Sequence, residues 1–166
     1  MPADGQTLDI ILGTPAYYRL FYAFAKQSLT QENLDFLAAA AAYRKDPSKK
    51  KAIGIIDEFV KDSGAASINI DYGMRGSIVA QGNAYGASRG RAKQMGFFKR
   101  HWSAGQRKAA ENVFDDAITE IRTLVIADTL PKFFRTSTGQ AVEADIAKKQ
   151  AKAAAVRGAL LETGFM

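Results

Sequence analysis

Apolar residues recur every three or four positions along most of this chain, the period of an α-helix packed on one face. Tyr17, Leu20, Phe21 and Phe24 follow Thr14-Pro15, a helix start with a hydroxyl at the N-cap and proline in the first turn. A second run begins at Ser28 or Thr30 and reaches about Arg44, with Leu34, Phe36, Leu37 and Tyr43 as its contacts. Its alanines, Ala38 to Ala42, favour helix and allow close approach of a neighbour. Asp46-Pro47-Ser48 opens a third run on Ala52, Ile55, Ile56, Phe59 and Val60, ended by Gly64.

Elsewhere the period changes or fails. Thr7 to Leu12 forms a short opening turn, broken by Gly13. Ile68-Asn69-Ile70 alternates like a strand but has no partner run, so it reads as an extended connector. Asp71 caps a short helix to about Ala80. Five glycines punctuate residues 81–105, which read as an insertion without helical period. A long helix over 106–127 follows, on Ala109, Val113, Ala117, Ile121, Leu124 and Val125. Pro131 falls early in a short helix with core candidates Phe133 and Phe134. Residues 138–166 hold a last amphipathic helix on Val142, Ile146, Val156 and Leu160. The expected fold is all-α, within a single domain spanning 1–166. Segments 30–45, 48–63, 71–80 and 106–127 would form an antiparallel four-helix bundle. The N- and C-terminal helices would make a subdomain beside it.

The 166 residues, 47% of them hydrophobic, suffice for a real core. There is no cysteine and a single histidine, His101, which removes disulfides, thiolate metal sites and two-histidine metal sites. No basic, apolar leader opens the sequence, and the apolar run from Phe36 to Tyr43 is too short to span a bilayer. A cytoplasmic protein is the expectation. The net charge of +6 is uneven. Residues 81–110 carry Arg89, Arg91, Lys93, Lys99, Arg100, Arg107 and Lys108 without an acid, leaving the rest nearly neutral.

Three islands remain outside this packing pattern. They are Thr30-Gln31-Glu32-Asn33-Leu34-Asp35-Phe36, then Ile68-Asn69-Ile70-Asp71 with Arg75, then Phe114-Asp115-Asp116-Ala117 leading into Ala127-Asp128-Thr129-Leu130-Pro131-Lys132-Phe133-Phe134. Read singly, Glu32 and Asn33 are first-turn residues, Asn69 a turn former, and Asp71 and Asp128 caps. Read jointly and in this order on a helical background, the islands resemble the RGS domain, the helical module that binds Gα subunits and speeds GTP hydrolysis. The resemblance covers residues 7 to 137, and it places the polar members at connecting turns rather than in the core.

The resemblance implies that Glu32, Asn33, Asn69, Leu124, Asp128 and Thr129 line the surface that grips the GTPase switch regions, with Lys132 where the family usually has arginine. Asn69 would hold the glutamine that orients the attacking water, and the others would receive a switch threonine and its neighbours. The family's last island reads Asp-Ser-Tyr-Pro-Arg-Phe-Leu, so this chain departs at Thr129, Leu130, Lys132 and Phe134. Leu37 stands where the family usually has tryptophan. Lysine lacks the planar fork of arginine, so Lys132 cannot repeat a bidentate contact. The implied mechanism is accessory. The GTPase keeps its own arginine and glutamine, and the module favours the switch conformation resembling the transition state. Each tenfold acceleration needs about 1.4 kcal/mol of preferential binding.

The residues show no enzyme of their own. Gly86-Ala87-Ser88-Arg89-Gly90 lacks the lysine and strand of a phosphate loop, and Asp115-Asp116 has no accompanying base or metal set. No cofactor or metal is expected. The basic segment interleaves Tyr85, Phe97, Phe98 and Trp102 with its charges. Its bases, Arg89, Arg91, Lys93, Lys99 and Arg100 foremost, suit an anionic membrane surface or, second to that, nucleic acid. The plain alternative is a solvated loop with its aromatics tucked onto the bundle. Two further readings of function stand beside GTPase activation. One is an RGS-homology adaptor that binds a protein without activating a GTPase. The other is a binder of anionic surfaces through residues 81–110.

Overall fold

The computed structural model describes residues 3–92 and 112–162, with backbone alone for 84–92 and 159–162. Every regular element among the described residues is helical, as the sequence period requires. The elements are α1 (Gly5–Gly13), α2 (Pro15–Gln27), α3 (Gln31–Lys45), α4 (Lys49–Ile55), α5 (Tyr72–Ala92), α6 (Asp115–Leu124), α7 (Leu130–Phe134) and α8 (Ser137–Glu162). Two π-helical turns, Ile56–Val60 and Val125–Thr129, continue α4 and α6. The chain divides into two compact units, one of residues 29–123 and one of 1–28 with 124–166. The first holds the four helices expected of the bundle, the second the N- and C-terminal helices.

In the four-helix unit, α3 packs on α4, and α4 with its π turn packs on α5. The core is aromatic. Phe36 meets Phe59 and Phe114 edge-on, and Tyr43 meets Phe114 at 5.2 Å between ring centroids. The expected stripes are buried: Leu34, Phe36, Leu37 and Tyr43 on α3, then Ala52, Ile55, Ile56, Phe59 and Val60. Arg44 near the end of α3 pairs with Asp115 at the start of α6 at 2.5 Å.

Two boundaries differ from expectation. First, α5 runs twelve residues past Ala80, so Arg89 and Arg91 lie on a helix rather than in a loop. Glycine lowers helix propensity by only about 1 kcal/mol per residue, and Gly82 has a packing use. A Cβ there would lie 2.6 Å from Ile56 Cδ1, so its absence lets α5 settle on α4's π turn. Second, α6 starts at Asp115, not near 106, because Asn112, Val113 and Phe114 form a turn that drives Val113 and Phe114 into the core. Lys93, Lys99, Arg100, Phe97, Phe98 and Trp102 lie outside the described residues, as do Ala109 and the stretch 103–111.

In the terminal-helix unit, α1 packs on α2, and α2 and α7 pack on α8. Asp4 caps α1 by accepting from the Thr7 amide, and this bond holds its carboxyl below the ordinary range. Phe133 is the hub, with rings of Phe21, Phe24 and Phe134 at 5.2, 5.6 and 5.7 Å. The buried Tyr17 hydroxyl donates to Asp145 Oδ2 at 2.5 Å and accepts from Lys149 Nζ at 2.7 Å, tying α2 to α8. Leu20, expected inside, is exposed, and so is Val156. Among the described side chains of α8 the last buried one is Ile146, and residues 151–158 are all exposed; Leu160 lies outside the described side chains.

Candidate functional site

The candidate residues of the four-helix unit stand on two segments. One is the first turn of α3, where Glu32 gains from the positive end of the helix dipole. Leu34, Phe36 and Leu37 anchor this turn in the core and leave Glu32, Asn33 and Asp35 half-buried. The side-chain oxygens of Gln31 and Asn33 are shielded from solvent and accept no hydrogen bond among the described residues. Thr30 occupies the N-cap position, but its hydroxyl does not close the helix end.

The other segment is the connector from Lys61 to Asp71. Gly64 turns it sharply: a Cβ there would fall 2.3 Å from the Glu58 carbonyl oxygen, so no larger residue fits. Beyond the turn Ile68 donates its amide to the Phe59 carbonyl at 2.9 Å. Ile68 and Ile70 are buried and Asn69 between them is exposed, as the alternation predicts. Asp71 donates its amide to Glu120 Oε1 at 3.0 Å. Its own carboxylate caps α5 by accepting from the Gly73 and Met74 amides at 2.8 and 3.1 Å.

The two segments meet. Gln31, Glu32 and Asp35 of α3 face Ala65, Ala66 and Ser67 of the connector across an open pocket of about 220 Å³. Its polar groups are two carboxylates, an amide and a hydroxyl, a set rich in acceptors. Thus Glu32 stands beside the segment that carries Asn69, and Asn33 follows it on the same turn. Asn33 and Arg44 are eleven residues apart on α3, or about 16 Å along its axis. Because Arg44 binds Asp115, the chain re-enters the described structure near Asn112 at the opposite end of this unit.

In the terminal-helix unit Leu124, Asp128, Thr129 and Lys132 belong to one continuous helical run. Leu124 is half-buried, and Asp128 and Lys132 are exposed. Lys132 Nζ pairs with Asp128 at 2.7 Å across one turn, so Asp128 is an ion-pair partner within the run and not a cap. Thr129 is 3% exposed. The expectation that the polar members of the islands avoid the core fails there, because the π turn rotates Thr129 inward beside Leu130.

Sequence reasoning missed several features. The sequence names Arg75 as part of an island but does not show what it touches. Glu120 has only the spacing of an exposed helical acid, yet it holds the connector. Leu29 is 79% exposed with φ of 54°, a conformation rare for a side chain of its size, and Tyr72 is 84% exposed. These are the most exposed large hydrophobic side chains among the described residues, and each adjoins a candidate segment. Neither π turn had a signature in the apolar spacing. One leads into the connector, and the other contains Asp128 and Thr129.

The described residues thus form a four-helix unit and a second unit of N- and C-terminal helices, an all-α arrangement. The model for the regulator of G protein signaling domain matches residues 7–138, and the chain belongs to that family. It is 24% identical over 135 residues to Regulator of G-protein signaling 16 of Mus musculus, covering 79% of this chain and 55% of that protein. It is 27% identical over 134 residues to Regulator of G-protein signaling 1 of Homo sapiens, covering 79% and 53%. The chain therefore spans about half the length of these curated relatives. Among the described residues no helix is long and apolar enough to cross a membrane.

Proposed function

We propose that this chain binds the switch regions of a Gα-type GTPase and accelerates GTP hydrolysis by favouring the transition-state conformation of its partner. The observation that carries the reading is the presentation of Asn69. It stands exposed between two buried isoleucines, on a connector bonded at both ends and facing Glu32 across an acceptor-lined pocket. Leu29 and Tyr72 supply exposed apolar area beside these polar groups, the mixture expected of an interface.

Single-turnover GTP hydrolysis by purified Gα subunits, with and without the chain, tests it. The expected result is acceleration by the wild type and a loss of about tenfold or more with Asn69→Ala, an interaction worth at least about 1.4 kcal/mol. Stability should change by no more than about 0.5 kcal/mol, since Asn69 is exposed. Binding of a Gα subunit without acceleration would favour the adaptor reading instead.

A further inference from the structure

The Asn69 connector has no regular hydrogen-bond ladder, so its backbone carbonyls must be satisfied one by one. Arg75, near the start of α5, satisfies the Ile68 carbonyl of the connector and the Val60 carbonyl that leads into it. Its Nη1 donates to the Val60 carbonyl and, at 3.1 Å, to Ser67 Oγ. Its Nη2 donates to the Ile68 carbonyl at 2.7 Å. Its Nε faces Asp62 Oδ1 at 3.1 Å. The side chain is only 13% exposed. One guanidinium thus bridges the end of α4's π turn, the middle of the connector and the residue directly before Asn69.

We infer that Arg75 is a positioning residue: it acts on the GTPase partner through Asn69, by fixing the backbone from which Asn69 projects. This rests on the proposed reading of function. Lysine at this position would keep the charge but could not span these four divergent acceptors, because its donors radiate from one nitrogen. The connector would keep its two buried isoleucines and its Glu120 bond, so the fold survives while Asn69 is held less tightly. An angstrom of misplacement at a contact of this kind can cost up to about a hundredfold in rate.

The test is a double-mutant cycle with Arg75→Lys and Asn69→Ala, read in single-turnover hydrolysis by a Gα subunit that the wild type accelerates. Amide exchange of residues 61–71 is followed on the same proteins. Arg75→Lys alone should lower acceleration about tenfold, but by less than about twofold when Asn69→Ala is already present, because coupled residues do not add. The Ile68 and Asp71 amides should exchange faster. Undiminished acceleration by Arg75→Lys, or losses that simply add, would overturn the inference. If Arg75→Lys does not fold, Asp62→Ala serves in its place. Asp62 lies outside the pocket lining and loosens Arg75 alone, so its smaller loss must also vanish beside Asn69→Ala, and an additive loss overturns the inference equally. If no Gα subunit is accelerated by the wild type, the functional reading fails. Amide exchange then decides the positioning role alone, and unchanged exchange at Ile68 and Asp71 in Arg75→Lys overturns it.

Discussion

The two units fasten their parts with charge in different ways. In the four-helix unit, Arg75 pins an irregular connector through backbone carbonyls and a carboxylate. In the terminal-helix unit, Tyr17, Asp145 and Lys149 join two regular helices through side chains alone. The cause is the backbone. A helix satisfies its own carbonyls and needs only a side-chain bond to its neighbour. An extended connector leaves carbonyls open, and a planar group with five donors closes them most economically. Damage to the first fastening should therefore alter what the surface presents. Damage to the second should alter how firmly a helix is held.

The largest effects test whether the units are separable. Phe114→Ala removes the ring that meets Phe36 and Tyr43, and Phe133→Ala removes the hub of the terminal-helix unit. Each should cost about 3–5 kcal/mol, the usual range for a buried phenylalanine. Urea unfolding followed by far-ultraviolet circular dichroism measures this. A single shifted transition in both variants means that the units unfold together. Two transitions in either variant would mean that the units are energetically independent.

How legible these units were in the sequence follows from what each segment buries. Helical period identified the buried faces of α3 and α4 residue by residue, because those helices pack along their whole length. It failed on α5, where the glycines that read as breaks include Gly82, a contact to Ile56. It failed on α8, where the period included Val156, yet that side chain is exposed and the last buried one among the described residues is Ile146. The alternation at Ile68-Asn69-Ile70 told correctly which residue faces out. The island pattern named Glu32, Asn33 and Asn69, but the partners that hold them were not readable. Glu120 and Arg75 act across 49 residues and into carbonyls respectively, and neither leaves a local trace. Thr129 was misplaced because a π turn shifts the register by one residue, and spacing rules assume an unbroken α-helix.

Tyr17→Phe sharpens the contrast at the second fastening. It deletes the hydroxyl shared by Asp145 and Lys149 but keeps the ring, which lies 5.0 Å from the Lys149 ammonium. The expected cost is about 1 kcal/mol, the net worth of a typical hydrogen bond. GTPase acceleration should stay within twofold or so of wild type, roughly 0.4 kcal/mol. A large loss of acceleration with a small loss of stability would erase the distinction between the two fastenings.

Leu29→Gly tests the surface side with a smaller energetic effect. Glycine adopts φ of 54° without the clash that leucine meets, while leaving a more flexible unfolded chain. These terms nearly offset, so stability should change by only about 0.5 kcal/mol in either direction. Acceleration should fall, because an exposed apolar side chain is lost beside the first turn of α3. Unchanged acceleration would place Leu29 outside the partner contact.

The smallest effect is a flat one. The Tyr17 hydroxyl, and after it the Lys149 ammonium, hold the Asp145 carboxyl below its ordinary value of 3.8. The Tyr17 and Asp145 bonds hold Lys149 above its ordinary 10.5. A carboxyl with a lowered folded pKa stabilises fully above its unfolded value and loses this as pH falls through the folded one. An amine with a raised folded pKa stabilises fully below its unfolded value and loses this as pH rises through the folded one. Both contributions are therefore constant from roughly pH 5 to 9. The difference in melting temperature between wild type and Tyr17→Phe should not change across that window, and it should narrow only outside it, as acid protonates Asp145 or base deprotonates Lys149. Lys149 and Asp145 keep their own ion pair at 3.0 Å once the hydroxyl is gone, so the difference reports the hydroxyl alone. A difference that varies between pH 6 and 8 would mean that another group couples to Tyr17, and the fastening of α2 to α8 would then be larger than these three side chains.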